Sequence, residues 1–327
     1  MTQFALVVGS TATARIPGVS GAGAHPPATA WTPAADAEII AYGRPVATPG
    51  VPCAPDGTPT PAVLTRAALS AIDRSATVFD AGLGTPTAAP TVDVGDDPGG
   101  DIRGGEAVPT ADEIVGRARR HGRTLGADHL VVGESIPGGT TTALALARAI
   151  DVDLTVGSSL PENPRDRKAL VVDTALSAVD RGAPMAPIAA IEQVGDPVQA
   201  ALLGLIEGGL AAGTRVTLAG GTQQLAIAAA VRARGVERDL EVATTDALAR
   251  SVPFREMAAR IGVEATVTPI GVDPSGPLGG YAAGIAKEGA GLGGALALVE
   301  RADVDIASVR ERAIEIATVH REAEVVA

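Results

Sequence analysis

Short apolar runs alternate with longer segments of helical periodicity along most of the chain. The short runs predict β-strands at residues 4–8, 77–79, 91–94, 129–132, 154–156, 188–191, 215–218, 241–244 and 266–270. Helices are predicted from residue 110 to beyond residue 123, and at residues 143–150, 164–181, 197–212 and 223–233. Strands that alternate with helices indicate βαβ units. We therefore predict an α/β fold: a Rossmann-like, open, mostly parallel sheet with helices on both faces, plus a small helical part from the chain ends.

Two of these helices have a clear start signal in the sequence. Thr110 is followed three residues later by Glu113, which is the spacing of a capping box. Pro197 is suited to the first position of a helix, where no backbone N–H is needed. Both helices are therefore predicted to begin at these residues.

The chain is predicted to form one large domain and one terminal helix. Residues 1–303 form an α/β nucleotide-binding domain, whose N-terminal segment after Gly9 is rich in Pro, Gly, Ala and Thr and is expected to be mostly loop. In residues 304–327, apolar side chains recur at helical spacing. This pattern predicts a C-terminal helix that packs on the domain or on a partner subunit.

Charge and composition exclude several classes of protein. The 327 residues carry 26 basic and 38 acidic side chains, a net charge of −12, and only 2% aromatic residues, so a nucleic-acid partner is not expected. The single cysteine, Cys53, allows no intramolecular disulfide and favours a reducing compartment. The first apolar run is too short for a signal peptide and no run is long enough for a bilayer span, so we expect a cytoplasmic protein without a membrane partner.

The basic residues are strongly biased toward arginine. Only two of the 26 are lysines, Lys168 and Lys287. A halophilic, salt-adapted cytoplasm selects acidic surfaces poor in lysine, whereas a GC-rich genome replaces lysine codons by arginine codons without physical advantage. Both explanations remain open.

The strongest local signal is a glycine- and threonine-rich loop between a predicted strand and a predicted helix. Residues 133–142 read Gly-Glu-Ser-Ile-Pro-Gly-Gly-Thr-Thr-Thr. Glycines let backbone N–H groups approach an anion, and the helix N-terminus adds free donors and a positive dipole end. The loop lacks the lysine of a triphosphate-binding loop, so a nucleotide monophosphate fits better. The alternative is a simple glycine-rich turn.

Two further segments could contribute to the same site. Gly220 and Gly221 follow another predicted strand and could add N–H donors. Glu288 lies in a glycine-rich segment, residues 284–294, and could act as a general base if burial raises its pKa toward neutrality. The alternative is a solvated pair of Lys287 and Glu288. The four histidines show no metal-ligand spacing, so no metal and no cofactor are expected.

Taken in order, these motifs resemble the nicotinate-nucleotide:dimethylbenzimidazole phosphoribosyltransferase superfamily, and most closely its archaeal branch, a family related to that cobamide-synthesis enzyme. The resemblance is collinear from about Val92 to Val299. It is carried by residues 102–105, 109–110, 133–142, 159–164, 167–172, 194–195 and 216–220, and by Lys-Glu-Gly-Ala-Gly at 287–291, which resembles the loop that holds the family's catalytic glutamate.

The resemblance implies transfer of the phosphoribosyl group of nicotinate mononucleotide to a benzimidazole-type base, giving an α-riboside phosphate, by a homodimer. It implies Glu288 as the catalytic base and Ser20 as a weak base-binding candidate. Glu134 is expected to hold the loop or a ribose hydroxyl, because a carboxylate would repel a phosphate. The phosphate or nucleotide contacts are expected from Glu134, Gly138, Gly139, Thr140, Thr141, Lys168, Gly220, Gly221 and Gly289.

The sequence departs from the family pattern where the accepting base would be recognised. Ala219 stands where the family has an aspartate, and the family's histidine-containing segment has no counterpart. Two alternatives therefore stay open: a non-catalytic protein that binds a nucleotide or cobamide precursor, and a transferase that uses a different base.

Overall fold

The computed structural model describes residues 1–23, 25–179 and 184–326, with side chains of the last helix as far as Thr318. Within this part of the chain, seven strands form a single sheet. They are β1 (Thr2–Val8), β2 (Ala76–Asp80), β3 (Thr91–Asp93), β4 (His129–Ser135), β5 (Arg215–Ala219), β6 (Leu240–Thr245) and β7 (Glu264–Thr268). Every pairing is parallel, in the order β3-β2-β1-β4-β5-β6-β7.

This strand order contains a topological switch point. The chain leaves β1 toward β2 on one side and returns to β4 on the other, so the connections diverge between β1 and β4. At this point Val8 and Ser135, the last residues of the two strands, are register partners. In open α/β sheets, ligands bind beyond the carboxyl ends of the strands at such a point.

Thirteen α-helices surround the sheet in the described chain. They are α1 (Pro26–Tyr42), α2 (Ala62–Ala71), α3 (Ala111–Thr124), α4 (Gly139–Ala149), α5 (Arg165–Ser177), α6 (Pro187–Val194), α7 (Pro197–Ala211), α8 (Thr222–Ala233), α9 (Asp246–Ser251), α10 (Phe254–Ile261), α11 (Gly279–Ala282), α12 (Leu292–Arg301) and α13 (Ile306–Val326). None of the helices described here is long and apolar enough to cross a membrane.

Alternating side chains of the central strand β1 supply two separate cores. Phe4, Leu6 and Val8 pack with α1, α2, α12 and α13 on one face, whereas Ala5 and Val7 pack with α3 to α8 on the other. A strand buried on both faces reads as a continuous apolar run, as this one does. The prediction of an open parallel sheet covered by helices on both faces is confirmed.

Two predicted strands are wrong. Residues 154–156 are buried and extended but do not join the sheet: side chains satisfy nearby backbone donors, since Thr155 N donates to Met257 Sδ at 3.3 Å and Gly157 N to Thr222 Oγ1 at 3.0 Å. Residues 188–191 lie inside helix α6, which begins with Pro187 at its first turn. Proline favours this position, so the apolar run there belongs to a helix.

The N-terminal segment contains more helix than its composition predicts. Helix α1 accommodates Pro26 and Pro27 in its first turn and Pro33 in its interior, and α2 follows a proline-rich loop. The His25 ring caps α1 by accepting from Ala28 N at 3.2 Å. Prolines near a helix start cost little because the first backbone N–H groups have no partner within the helix.

The helix boundaries agree with the predictions in part. Helix α3 begins directly after Thr110, but the Thr110 side chain makes no capping hydrogen bond, so the predicted capping box is wrong. Helix α7 begins at Pro197 and is capped by Asp196, which accepts from Gln199 N at 2.9 Å. Helix α5 ends at Ser177; the predicted end at Arg181 lies outside the described residues.

The C-terminal helix α13 follows the domain and packs mainly against α2, with Val309 and Ala313 buried between them. The boundary between the α/β domain and the C-terminal helix, at residues 303 and 304, stays a prediction. Ala327, the last residue of the predicted helix, lies outside the described residues. Packing of this helix on a partner subunit, and with it the homodimer, also stays a prediction.

Candidate functional site

Three adjoining cavities lie at the carboxyl edge of the sheet, beside the switch point. A narrow central cavity of about 90 Å³ is lined by Glu134 and Glu288. On one side it shares both glutamates with a small cavity of about 30 Å³. On the other side it shares Gly23 and Pro137 with an open cavity of about 560 Å³. We call these the central, inner and outer cavities, and we refer to the three together as the cleft.

Glu288 is fixed by hydrogen bonds to both carboxyl oxygens. Its Oε2 accepts from Thr245 N at 3.0 Å and Thr244 Oγ1 at 3.2 Å, and its Oε1 accepts from Gly289 N at 3.1 Å and Gly293 N at 3.0 Å. Burial raises the pKa of this carboxyl to about 7, although these donors oppose the shift. The side chain is therefore positioned rigidly and can exchange a proton near neutral pH.

Glu134 faces the same cleft from the end of β4. Its side chain is buried and accepts a hydrogen bond from Gln224 Nε2. Burial raises the pKa of Glu134 well above its usual value, and the nearby charges of Glu288 and Asp196 raise it further. A carboxyl with a raised pKa is more readily neutral, and a neutral carboxyl does not repel an anion bound nearby.

Two helix N-termini border the inner cavity without any side-chain cap. Helix α4 starts after Gly138 and α8 after Gly221, and neither residue supplies a capping side chain. The first-turn residues Thr140, Thr222 and Gln223 line the cavity. The first-turn N–H groups and the positive ends of two helix dipoles make this end of the cleft suited to an anion.

Close packing explains several of the glycines. A side chain at Gly139 would collide with Gln223 Nε2, and one at Gly221 would come within 2.7 Å of Leu248 Cδ2. Gly220, with a φ of +155°, lies against Glu134 Oε2, which a Cβ would approach to 2.9 Å. Gly289, with a φ of +151°, donates its N–H to Glu288.

Comparisons with known proteins place the chain among archaeal relatives. A UPF0284 protein of Halobacterium salinarum is 46% identical over 323 residues, covering 96% of this chain and 97% of the relative. A UPF0284 protein of Methanothermobacter thermautotrophicus is 39% identical over 331 residues, covering 96% of this chain and 91% of the relative. The chain belongs to the UPF0284 family. No protein-family model matches it.

The fold of this UPF0284 protein is shared with solved structures from Thermus thermophilus. A crystal structure of nicotinate-nucleotide:dimethylbenzimidazole phosphoribosyltransferase aligns with a TM-score of 0.64 at 21% identity, covering 97% of this chain and 83% of that one. A second structure, of CobT, gives a TM-score of 0.65 at 20% identity, covering 97% and 84%. This member of the archaeal UPF0284 family therefore has a phosphoribosyltransferase-like fold.

The two lysines of the UPF0284 chain are buried behind the cleft. Lys287 Nζ donates to Ser158 O at 2.8 Å and Leu160 O at 3.0 Å, and Lys168 Nζ donates to Gly157 O at 2.7 Å. Burial lowers the pKa of Lys287 and lowers that of Lys168 to about 7, with the charge of Lys287 adding to the latter shift. Lys287 lines the inner cavity. Lys168 stabilises the adjoining loop through its hydrogen bond to Gly157 O. A solvated pair of Lys287 and Glu288, the simpler alternative, does not form.

The remaining predicted site residues are divided between the cavities and the interior. Thr140 lines the inner cavity and Ser20 lines the outer one, where its hydroxyl accepts from Ala22 N at 3.2 Å. Gly138, Gly139 and Thr141 are buried at the start of α4. Their roles in binding stay predictions.

Sequence reasoning missed Asp36 and Ser135, which line the central cavity together. Asp36 lies in α1, within a segment expected to be loop, and Ser135 stood in the glycine-rich loop without an assigned role. The two are 99 residues apart in the sequence, and they meet because α1 packs against both β1 and β4, which are neighbours in the sheet. If the segment after His25 had been predicted as a helix, Asp36 would have been placed on the buried face of that helix.

Proposed function

We propose that this protein is a phosphoribosyltransferase that moves the phosphoribosyl group of nicotinate mononucleotide to a nitrogenous base such as dimethylbenzimidazole. The product is an α-riboside phosphate, a building block for cobamides. The observation that carries the proposal is Glu288, a buried carboxyl with a pKa of about 7 in a cleft whose inner end is suited to an anion.

The inner cavity is the proposed site of the 5′-phosphate. The uncapped starts of α4 and α8 offer N–H donors there, and Lys287, whose Nζ donates to Ser158 O and Leu160 O, lines the same cavity. A cation and two helix N-termini all favour a dianionic group. Nicotinate and the acceptor base then lie toward the central and outer cavities, because the inner cavity, at about 30 Å³, is too small for them.

The reaction exchanges one glycosidic bond for another. The bond between the anomeric carbon and the nicotinate nitrogen breaks, and its electron pair leaves with nicotinate. A nitrogen of the acceptor attacks the opposite face with its lone pair, which inverts the configuration from β to α. The proton that the acceptor then loses passes to Glu288 and from there to solvent. Fixing the phosphate aligns the attack.

Glu134 supports this chemistry in its protonated form. Its carboxyl is buried beside Glu288 and can donate a hydrogen bond to a ribose hydroxyl while its other oxygen accepts from Gln224. Its backbone carbonyl accepts from Ala290 N at 2.9 Å, which joins the phosphate loop to the loop of Glu288.

The test is turnover by the purified protein. It is incubated in high and in low salt with nicotinate mononucleotide and a panel of bases that includes dimethylbenzimidazole, and nicotinate and riboside are followed by mass spectrometry. Formation of both products with at least one base supports the proposal. Binding of the mononucleotide without products from any base would instead identify a non-catalytic binding protein.

A further inference from the structure

Asp36 is a buried carboxylate held in a fixed orientation in the central cavity. Its Oδ2 accepts from Ser135 Oγ at 2.6 Å and its Oδ1 accepts from Thr60 Oγ1 at 2.7 Å. The residue is only 3% exposed, and it lines the same cavity as Glu288. Burial raises its pKa to about 6, so Asp36 is mostly ionised at neutral pH.

The hydrogen-bonding capacity of this carboxylate is only half used. A carboxylate can accept about four hydrogen bonds, and Asp36 accepts two from hydroxyl groups. Among the described residues it forms no salt bridge. A buried negative charge without a cation, bordering a cavity, is unfavourable unless a ligand provides donors.

The position of Asp36 along the cleft separates it from the phosphate end. Lys287 and Thr140 line the inner cavity, Glu134 and Glu288 line both the inner and central cavities, and Asp36 lines only the central one. With phosphate bound in the inner cavity and Glu288 beside the reacting nitrogen, Asp36 lies on the side where the acceptor enters.

We propose that Asp36 is a specificity-determining residue that binds a hydrogen-bond donor on the acceptor base, on the edge away from the attacking nitrogen. This inference rests on the proposed function and narrows its substrate class. The preferred acceptor is a fused nitrogen heterocycle bearing an amino or hydroxyl group, because a methyl group in that place would exclude water and leave the carboxylate with only its two hydroxyl donors, Ser135 and Thr60. Ser135 and Thr60 orient the carboxylate.

Matched acceptors test this inference. We measure turnover of three acceptors with nicotinate mononucleotide: 5-aminobenzimidazole, 5-hydroxybenzimidazole and 5-methylbenzimidazole. Their substituents are similar in size, but the amino and hydroxyl groups donate hydrogen bonds and the methyl group does not. In the wild type, kcat/KM for the amino and hydroxyl acceptors is expected to exceed that for the methyl acceptor by about tenfold or more, as for a hydrogen bond to a charged group. In Asp36→Ala this ratio falls to about one, and in Asp36→Asn, whose neutral amide oxygen is a weaker acceptor, it falls by a smaller factor.

The ratio is taken within one protein preparation, so a reduced folded fraction does not change it. Asp196→Asn is the control, since Asp196 is an equally buried aspartate with a hydroxyl partner, Thr142 Oγ1 at 2.5 Å; it should keep the wild-type ratio. The inference would be overturned if the wild type showed no preference for the amino and hydroxyl acceptors over the methyl acceptor. It would also be overturned if Asp36→Ala kept the wild-type preference.

Failure of the proposed function gives a different result. If the wild type turns over any one acceptor, the proposed function stands whatever the ratio is. If it turns over none, the three bases are compared by calorimetric binding to the wild type and to Asp36→Ala. Loss of a donor preference in the variant would then support Asp36 as a binding residue, and equal preference in both proteins would contradict it.

Discussion

The carboxyls of Glu134 and Glu288 face one cleft, and the charge of Glu288 raises the pKa of Glu134. Desolvation acts on both groups. Four donors favour the ionised form of Glu288, and hydrogen bonds from the Gln224 side chain and from the backbone of Glu134 itself favour the ionised form of Glu134. Because the charge of one carboxyl acts on the other, the two titrate as a coupled pair in which the pKa of Glu134 is raised well above its usual value. One carboxyl can take a proton while its neighbour donates a hydrogen bond.

Replacement of Glu288 should stop the chemistry without unfolding the protein. In Glu288→Gln the amide keeps one oxygen acceptor but cannot take a proton, so kcat should fall by about 10²- to 10⁴-fold, the usual contribution of a general base. Steady-state kinetics and circular dichroism check this outcome. Glu311→Gln, on the exposed face of α13, is the control. Wild-type turnover in Glu288→Gln would rule out this role.

The pH profile should report the ionisation of Glu288. Because the base must be deprotonated, kcat/KM should rise with pH and level off above an apparent pKa near 7. In Glu134→Gln the apparent pKa should stay near 7, since a protonated Glu134 adds no charge while Glu288 titrates. A fall of one unit or more in this variant would show that Glu134 is ionised beside Glu288.

Gly139→Ala should weaken binding of the mononucleotide. A Cβ at this position would displace the end of the Gln223 side chain, which lines both the central and the inner cavity. KM for nicotinate mononucleotide should therefore rise about tenfold, with a smaller change in kcat. Gly104→Ala is the control, because a Cβ at Gly104 meets no atom within 4 Å. Equal KM values in the two variants would contradict this account.

Asp196 should make the protein less stable as pH rises. Its folded-state pKa is raised from 3.8 to about 6 by burial, so its favourable contribution is complete below pH 3.8 and is lost as pH rises through 6. The free energy of unfolding of the wild type, relative to Asp196→Asn, should fall by about 2 kcal/mol between pH 4 and pH 7. Urea unfolding at several pH values measures this difference. A constant difference would show that the carboxyl is not desolvated.

The sheet and its glycine-rich loops could be predicted because their signals are local. The strand ending at Val8 and the loop after Gly133 show their apolar runs and glycines directly in the sequence. The helix α1 could not be predicted, because its prolines suggest a loop, whereas the helix packs against α2 and the sheet through contacts that are distant in sequence. The role of Asp36 also depends on tertiary structure, since its partners Thr60 and Ser135 are distant in sequence.

Phosphoribosyl transfer from nicotinate mononucleotide to a base can be tested by the products of a single reaction mixture. Wild-type protein, nicotinate mononucleotide and an accepted base are incubated, nicotinate and riboside phosphate are quantified by mass spectrometry, and the anomeric configuration is read by NMR. The proposed reaction should give equal amounts of nicotinate and of a riboside phosphate in the α configuration. A β product, nicotinate without any riboside, or a bound but unchanged mononucleotide would contradict it.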